Sequence, residues 1–416
     1  MPTLPCLLRS AGFALFVCLL ALSTIAQNRA YVTNQSSNSI TVIDLDNNAV
    51  LGSLSPFNQP SNIAMRTEGD LGIVTFALSG KATIFNPNDP LDFTNLDCGA
   101  GSNEVVISPD GKRAYVANID AATVTIIDLD ARNVVGTLSG GGYGVALSPD
   151  GAIVYSGERN NNRIKAWETA TLNPLPSIDG VPVPQTLAMS PDGKYLAVAQ
   201  SFAGMVSLID LGNATVTSFS TGSFPAGIAF TPDGKKLLAV NASSNTLSII
   251  DVEQLQIASS LPIFGSPVDV AVLPNGSKAI TANNADGTAA IIDLNSLTVQ
   301  QYVTCGSLPS AVATTGQPSS TNVEARSRSS WSLGHPFPNP SEGAFSFSLR
   351  LPVATKVSID LLDEEGKVRQ SVFMGSLPAG EHDFRVDLTG LPARNYYLRV
   401  NDGVFSQAVP VVLGAR

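Results

Sequence analysis

"SPDGKRAYVANIDAATVTIIDL" occupies residues 108–129, and the chain repeats this stretch in closely similar form. "SPDGKYLAVAQSFAGMVSLIDL" stands at 190–211, and "TPDGKKLLAVNASSNTLSIIDV" stands at 231–252. The glycine that closes the first turn of each unit recurs every 40 to 42 residues, at Gly69, Gly111, Gly151, Gly193, Gly234, Gly276 and Gly316. One further step back ends near Gln27, so seven repeat units fill residues 27 to 316.

Each unit predicts four short strands, which we name strands A to D. In one unit they are "EVVIS" (104–108), "RAYVAN" (113–118), "TVTIID" (123–128) and "NVVGTL" (133–138). Pro-Asp-Gly favours a tight turn between strands A and B. Strands A to C are apolar on both faces, which is typical of a sheet packed between two neighbours. A period near 40 with four strands per unit indicates a seven-bladed β-propeller, an all-β fold.

The two ends of the repeat region complete each other. The first unit begins at strand B, "RAYVTN" (29–34), and has no strand A before it. "LPSAVATTG" (308–316) has the pattern of a strand A, with no strand B after it. We therefore predict that the last strand completes the first blade, because a closed ring leaves no exposed sheet edge.

The repeats resemble those of the YVTN family of seven-bladed propellers. "YVTN" itself stands at 31–34 and is echoed by "YVAN" (115–118) and "LAVN" (238–241). The resemblance covers about residues 27–317 and implies the fold. It does not fix the role, since the family includes surface-layer proteins and binding proteins.

Two units depart from the repeat pattern. "RTEGDLGIVTFALSGKATIFNP" (66–87), in the second unit, lacks the proline of the turn and the aspartate that ends strand C. The fourth unit has Glu158 and Trp167 where the others have asparagine and isoleucine.

The composition changes after the repeats. Residues 318–332 are polar and lack strand periodicity, which predicts a flexible linker. Residues 333–416 alternate apolar and polar positions in about seven short stretches, which predicts a small immunoglobulin-like β-sandwich. "PNPSEG" (338–343) and "LPAGEHDFRVDLTGLPARNYYLRV" (377–400) resemble the type A C-terminal sorting domain of the type IX secretion system.

The first 26 residues have the pattern of a secretory signal peptide. Arg9 precedes the apolar run "AGFALFVCLLAL" (11–22), and the small residues Thr24 and Ala26 follow it. With the sorting-domain resemblance, this implies export to the periplasm of a Gram-negative bacterium and passage through the outer membrane. The implied partners are the type IX machinery and its surface sortase, which removes the sorting domain. The product is then released, or attached to lipopolysaccharide at the cell surface.

Composition excludes several classes of function. The chain has 24 Lys and Arg against 34 Asp and Glu, a net charge of −10, and no basic run, so nucleic-acid binding is not expected. Its only histidines, His335 and His382, lie outside the repeats. This argues against histidine-based catalysis, haem ligation and imidazole metal sites in the ring. We predict no catalytic residue, no cofactor and no metal site.

Two recurring residue types have a plainer structural explanation. The aspartate that ends strand C recurs at Asp44, Asp128, Asp210, Asp251 and Asp293. Calcium binding is one reading, but the ligand spacing of a calcium loop is absent, so we predict that these carboxylates cap turns. Cys98 and Cys305 occupy equivalent positions two blades apart, which predicts isolated thiols rather than a disulfide.

One face of the ring is the predicted binding face. The D–A and B–C loops emerge together on this side, where charged and aromatic residues differ from blade to blade. The predicted ligand-binding residues are Asn62, Glu104, Tyr143, Glu158, Arg159, Gln200, Phe202, Asp269 and Asp286. We expect a binding protein for a glycan, peptide or protein ligand. The alternatives are a propeller enzyme of the lactonase or quinoprotein-like class, and a purely structural surface-layer protein.

Overall fold

The computed structural model describes most of the chain. In the repeat region it covers residues 27–55 and 57–316. In the C-terminal region it covers 332–333, 336–337, 339, 341, 343–351, 355–363, 367–401 and 406–414. The predicted signal peptide (1–26) and nearly all of the predicted linker (318–332) lie outside the described residues. The chain divides between residues 320 and 321 into two compact units.

The first unit is a β-propeller, so the predicted all-β fold is confirmed. Its described residues form seven four-stranded antiparallel sheets, one for each repeat unit. The A strands of successive blades contact one another, and the last contacts the first, so they form a closed inner ring. Two 3-10 turns, Arg159–Asn161 and Ser201–Ala203, lie in B–C loops. Across the described residues of both units, no helix has the length and apolar character needed to cross a membrane.

The strand bounds follow the repeat closely. In blades 1 to 7, strand A is Pro309–Thr315, Asn62–Met65, Ser102–Ile107, Tyr143–Leu147, Thr186–Met189, Pro225–Phe230 and Pro267–Val272. Strand B is Arg29–Asn34, Gly72–Phe76, Arg113–Asn118, Ile153–Glu158, Tyr195–Gln200, Lys236–Asn241 and Lys278–Asn283. Strand C is Ser39–Asp44, Lys81–Asn86, Thr123–Asp128, Arg163–Glu168, Met205–Asp210, Thr246–Asp251 and Thr288–Asp293. Strand D is Ala49–Leu54, Asp89–Asp97, Asn133–Ser139, Pro174–Asp179, Thr215–Ser220, Gln256–Pro262 and Thr298–Thr304.

The core lies between neighbouring blades. Val32 and Ile43 of blade 1, for example, pack in one cluster with Ile280 and Ile291 of blade 7. Strands B and C are buried almost throughout, whereas strand D is largely exposed at the rim. This explains why strands B and C are apolar on both faces: each face is covered by a different blade.

The ring closes as the sequence predicts. Strand A of blade 1 (Pro309–Thr315) pairs antiparallel with strand B (Arg29–Asn34), and Val32 lies opposite Val312. The backbone N–H of Ala311 donates to Thr33 Oγ1 at 2.9 Å. The backbone N–H of Gly306 donates to Asn34 Oδ1 at 3.0 Å. The two ends of the repeat region therefore form one blade.

The repeated aspartates cap turns. The Oδ1 atom of Asp128 accepts the backbone N–H groups of Asp130 at 3.0 Å and Ala131 at 2.8 Å. The same pair of bonds recurs at Asp44, Asp210, Asp251 and Asp293. Among the residues that the structure describes, no group of three or more His, Cys, Asp or Glu side chains is arranged to hold a metal.

An asparagine at the end of strand B recurs in four blades and links strand B to strand C by hydrogen bonds. Asn118 is fully buried, and its Nδ2 donates to the hydroxyls of Thr123 at 3.1 Å and Thr125 at 2.9 Å. Its Oδ1 accepts from Ser102 Oγ at 2.9 Å, which also ties it to strand A. Buried Asn34, Asn241 and Asn283 bond in the same way to hydroxyls of their own strand C. The last residue of the YVTN motif is thus a buried polar link.

The second unit is a two-sheet sandwich. One sheet contains Ser332–Leu333, Ala344–Leu351 and Gly380–Asp387, and the other contains Thr355–Leu362, Val368–Leu377, Asn395–Asn401 and Ser406–Val412. Side chains of both sheets form a single core that includes Phe345, Ile359 and Leu398. The buried Tyr396 donates its hydroxyl to the Pro392 carbonyl at 2.8 Å, as a tyrosine corner does in immunoglobulin-like domains.

Candidate functional site

The nine predicted ligand-binding residues fall into separate groups. Asn62, Glu104 and Asp269 lie on strand A, in the inner ring. Tyr143, Arg159 and Phe202 meet at the B–C side of blades 4 and 5. Glu158 and Gln200 end strand B in the same two blades. Asp286 stands alone in the B–C turn of blade 7, where its Oδ1 accepts from Thr288 Oγ1 at 2.8 Å.

The inner-ring carboxylates join neighbouring blades. Asp269 Oδ2 accepts the backbone N–H of Val312 in blade 1, and its Oδ1 accepts that of Val270, both at 2.9 Å. Glu104 accepts the backbone N–H of Val145 in blade 4 in the same manner. Each carboxylate thus hydrogen-bonds to strand A of the next blade.

Burial changes the protonation of this pair. It raises the pKa of Asp269 to about 6, against the downward effect of its two backbone hydrogen bonds. Burial also raises the pKa of Glu104 well above its usual range, and the charge of Asp269 raises it further. The ring interior therefore disfavours two negative charges at once.

Tyr143, Arg159, Phe202 and Phe224 form a second arrangement, which we call the Arg159 cluster. The guanidinium carbon of Arg159 lies 5.4 Å from the ring centroid of Tyr143 and 4.8 Å from that of Phe202. Phe202 makes an edge-to-face contact with Phe224, their centroids 5.6 Å apart. Among the described residues the guanidinium of Arg159 has no hydrogen-bond or ion-pair partner, so its N–H groups remain available.

The cluster is accessible from the predicted binding face. Phe202 is 63% exposed and Phe224 is 39% exposed. Phe264, in the D–A loop that leads into blade 7, is also 63% exposed. Exposed aromatic rings that surround a cation are typical of a recognition surface.

Phe224 and Phe264 are additions to the predicted set. Both precede a strand A, and Phe224 has a φ of +60°, an unusual backbone conformation for a bulky residue. A residue shortly before strand A has a positive φ in every blade, from Gln59 onward. An aromatic residue at this repeated position is the sequence signal that identifies Phe224.

Glu158 and Gln200 also have partners within the fold. Both occupy the position of the repeated buried asparagine. Glu158 forms an ion pair with Arg163, which lowers the pKa of its carboxyl. Gln200 is 4% exposed; its Nε2 donates to the Pro182 carbonyl, and its Oε1 accepts from Ser207, each at 2.9 Å. Both side chains therefore have a structural role, and their part in ligand binding stays a prediction.

The two cysteines are separate, partly buried thiols. Neither Cys98 nor Cys305 is in a disulfide, and burial raises the pKa of each to about 12. Such thiols react slowly, because the thiolate is the nucleophile.

Comparison with known proteins establishes the fold alone. No protein-family profile matches the chain, and no curated protein matches it. Hydrazine synthase from Kuenenia stuttgartiensis is 21% identical over 63% of this chain and 91% of its own, with a TM-score of 0.57. A functionally unknown protein from Desulfotomaculum acetoxidans is 16% identical over 70% and 100%, with a TM-score of 0.61. A candidate 6-phosphogluconolactonase from Bacteroides fragilis is 15% identical over 70% and 99%, with a TM-score of 0.59. These likenesses and the seven sheets make the chain a β-propeller protein.

Proposed function

We propose that this protein is a secreted β-propeller of the YVTN type that binds an acidic glycan through the Arg159 cluster. The observation that carries the proposal is the guanidinium of Arg159, held between the rings of Tyr143 and Phe202 with no acidic partner among the described residues. The chain has an excess of acidic residues, yet no described carboxylate forms an ion pair with this guanidinium. A cation oriented by aromatic rings, with its N–H groups unused, suits an anion supplied by a ligand.

The ligand's chemistry follows from the two kinds of group in the cluster. The planar guanidinium pairs well with a carboxylate, which it can contact through two N–H groups. The exposed rings of Phe202 and Phe224, which meet edge to face, offer an apolar surface beside it. A sugar ring that carries a carboxylate, as in a uronic acid, fits both requirements.

A propeller enzyme is the alternative. The likeness to candidate lactonases supports it only at the level of fold, since sequence identity is 15–16%. The repeats contain no histidine, and the two inner-ring carboxylates are bonded to backbone groups of the neighbouring blades. Binding without chemistry is therefore the better-supported role.

Delivery to the cell surface is the second part of the proposal. The signal-peptide pattern of residues 1–26 supports export, and the sequence of the C-terminal region supports sorting by the type IX system. The two-sheet sandwich of the second unit is compatible with such a sorting domain. On this view the propeller is the cargo, and it works outside the cell.

Glycan binding can be tested by calorimetry with oligogalacturonate and with a neutral oligogalactose of equal length. We expect the acidic sugar to bind more tightly, and Arg159→Ala to weaken it by about 1–3 kcal/mol. Lys112→Ala removes an exposed charge on the opposite face and should leave affinity unchanged. Equal binding of the neutral sugar, or full affinity in Arg159→Ala, would refute this ligand class. An acidic peptide that binds where the sugars do not would shift the assignment to a protein partner.

Sorting can be tested in a host with a type IX system. Deletion of residues 333–416 should leave the propeller folded in the periplasm and absent from the surface. Normal surface amounts of the shortened protein would rule out the sorting role, whatever the propeller binds.

A further inference from the structure

Blades 1 and 2 are separated by a groove that lies apart from the Arg159 cluster. It has a volume of about 550 Å³, which is within the range of small-molecule sites. One wall is formed by Leu54 and Phe57, at the end of strand D and in the D–A loop of blade 1. The other is formed by strands B, C and D of blade 2, with Phe76, Phe85 and Phe93.

The walls are largely aromatic. Phe57 and Phe85 meet edge to face, with their centroids 5.4 Å apart. Phe76 and Phe85 are 7% and 3% exposed and form the floor, whereas Phe93 is 55% exposed at the rim. The groove therefore has an aromatic floor and an accessible ring, Phe93, directly opposite Phe85 in the strand pairing.

The groove arises from the blade that departs most from the repeat. Phe76 stands where four other blades have the buried asparagine, so the polar link is lost there. Phe85 stands where most strands C have isoleucine. Gly72 makes room for it, because a Cβ at Gly72 would lie only 2.6 Å from the Phe85 ring. The three changes occur in the same blade, and the glycine leaves space for the larger ring. We therefore regard the groove as a shaped site and not as a packing defect.

The charges around the groove are mostly compensated. Lys81 pairs with Asp97 at 2.8 Å, and Asp92 forms a two-point pair with Arg132. Asn95 accepts from Thr83 Oγ1 at 2.6 Å through its Oδ1, and its amide nitrogen has no partner among the described residues. The slot therefore offers apolar walls and an amide donor, with no unpaired cation.

We propose that this groove binds a small uncharged molecule with an aromatic ring system and a carbonyl or similar acceptor. The rings of Phe57, Phe85 and Phe93 hold the aromatic part, and the Asn95 amide donates to the acceptor. An anionic ligand would lose its hydration without gaining a cation, because Lys81 and Arg132 already pair with carboxylates. The other acidic group in the lining, Asp89, already accepts the backbone N–H of Leu91 at 3.0 Å. Residues 317–330 of this chain are polar and suit the apolar walls poorly.

The test uses the whole mature chain and naphthalene-2-carboxamide as probe, followed by saturation-transfer NMR and calorimetry. Wild type should bind the probe, and naphthalene-2-carboxylate should bind at least about tenfold more weakly. Ser79→Trp places a large side chain in the groove from an exposed loop and should weaken the carboxamide by about tenfold or more. Phe93→Ala removes the accessible wall and should weaken it by roughly the same factor.

Tyr302→Ala is the matched control, since it removes an exposed ring from strand D of blade 7. It should leave the probe's affinity unchanged, and thermal melts should show that all variants are folded. Absence of binding to wild type, or wild-type affinity in both Ser79→Trp and Phe93→Ala, would overturn the site. Tighter binding of the carboxylate would overturn the ligand class. These outcomes do not depend on whether Arg159 binds a sugar.

Discussion

Glu104 of blade 3 and Asp269 of blade 7 interact electrostatically although they belong to blades three steps apart around the ring. Each is half-buried and bonded to the backbone of the following blade, and the charge of Asp269 raises the pKa of Glu104. The inner ring therefore contains one carboxyl group, that of Asp269, whose pKa of about 6 lies close to neutral pH.

We expect Asp269→Asn to change how stability depends on pH. The pKa of Asp269 is about 6 in the folded protein, against an ordinary value of 3.8. The folded state therefore binds more protons between these pH values, so the wild type loses stability as pH rises from about 4 to 6. The variant lacks this titration. Between pH 4 and pH 7, the free energy of unfolding of the variant relative to that of the wild type should rise by about 2 kcal/mol, as measured by urea unfolding. A constant difference across this range would contradict the assignment.

The closing strand should be indispensable to the propeller. A chain ending at Thr304 lacks Pro309–Thr315, leaves one edge of strand B of blade 1 without its partner strand and exposes the core shared by blades 1 and 7. We expect it to lose the cooperative thermal transition seen by circular dichroism. A chain ending at Ser320 keeps the strand and should melt as a folded propeller. Similar melting of the two chains would show that the ring does not depend on this strand.

Asn118→Ala should destabilise the propeller by about 2–3 kcal/mol, because it leaves buried hydroxyls of Ser102, Thr123 and Thr125 without their amide partner. Asn160→Ala is the control, since Asn160 lies exposed in a B–C loop and should change stability by no more than about 0.5 kcal/mol. Chemical unfolding of both variants gives the comparison. Equal losses of stability in the two variants would mean that the buried asparagine does not stabilise the B–C hairpin.

Glu158 and Arg163 should be replaceable together by the pair used in other blades. Glu158→Asn leaves Arg163 without its partner, and Arg163→Thr leaves Glu158 without its own. We expect each single change to cost about 1–2 kcal/mol and the double change to cost less than the sum, because asparagine and threonine restore the common hydrogen bond. A double-mutant cycle measures this coupling. Strict additivity would show that the two positions act independently.

Much of the fold could be predicted because the repeat determines it residue by residue. Strand C of blade 3 begins and ends where the alternation and the terminal Asp128 indicate, and the unmatched strand at 308–316 reveals the closure. It was harder to predict which partner each buried polar side chain would have. Glu158 departs visibly from the repeated asparagine, but only the pairing with Arg163 shows that the change is compensated inside the fold.

The candidate sites were predicted in part. Tyr143, Arg159 and Phe202 are brought together because loops of adjacent blades emerge side by side, which topology alone indicates. Phe224 was missed because its loop position looks like a connection. The groove was missed because it needs Phe57 of one blade to meet Phe85 of the next. The size of the space between two blades cannot be predicted from the sequence of either repeat.

The closing strand also determines the order in which the molecule can be completed. Thr33 and Ala311, which bond across the seam, are 278 residues apart in the chain. During synthesis the first blade is present early but lacks its innermost strand until almost the whole repeat region has followed. Its open edge can pair with other chains throughout that interval, since an unpaired strand is a template for aggregation. The final strand of the propeller thus decides whether the blades before it become a ring, and a chain truncated before that strand is an intermediate prone to aggregation.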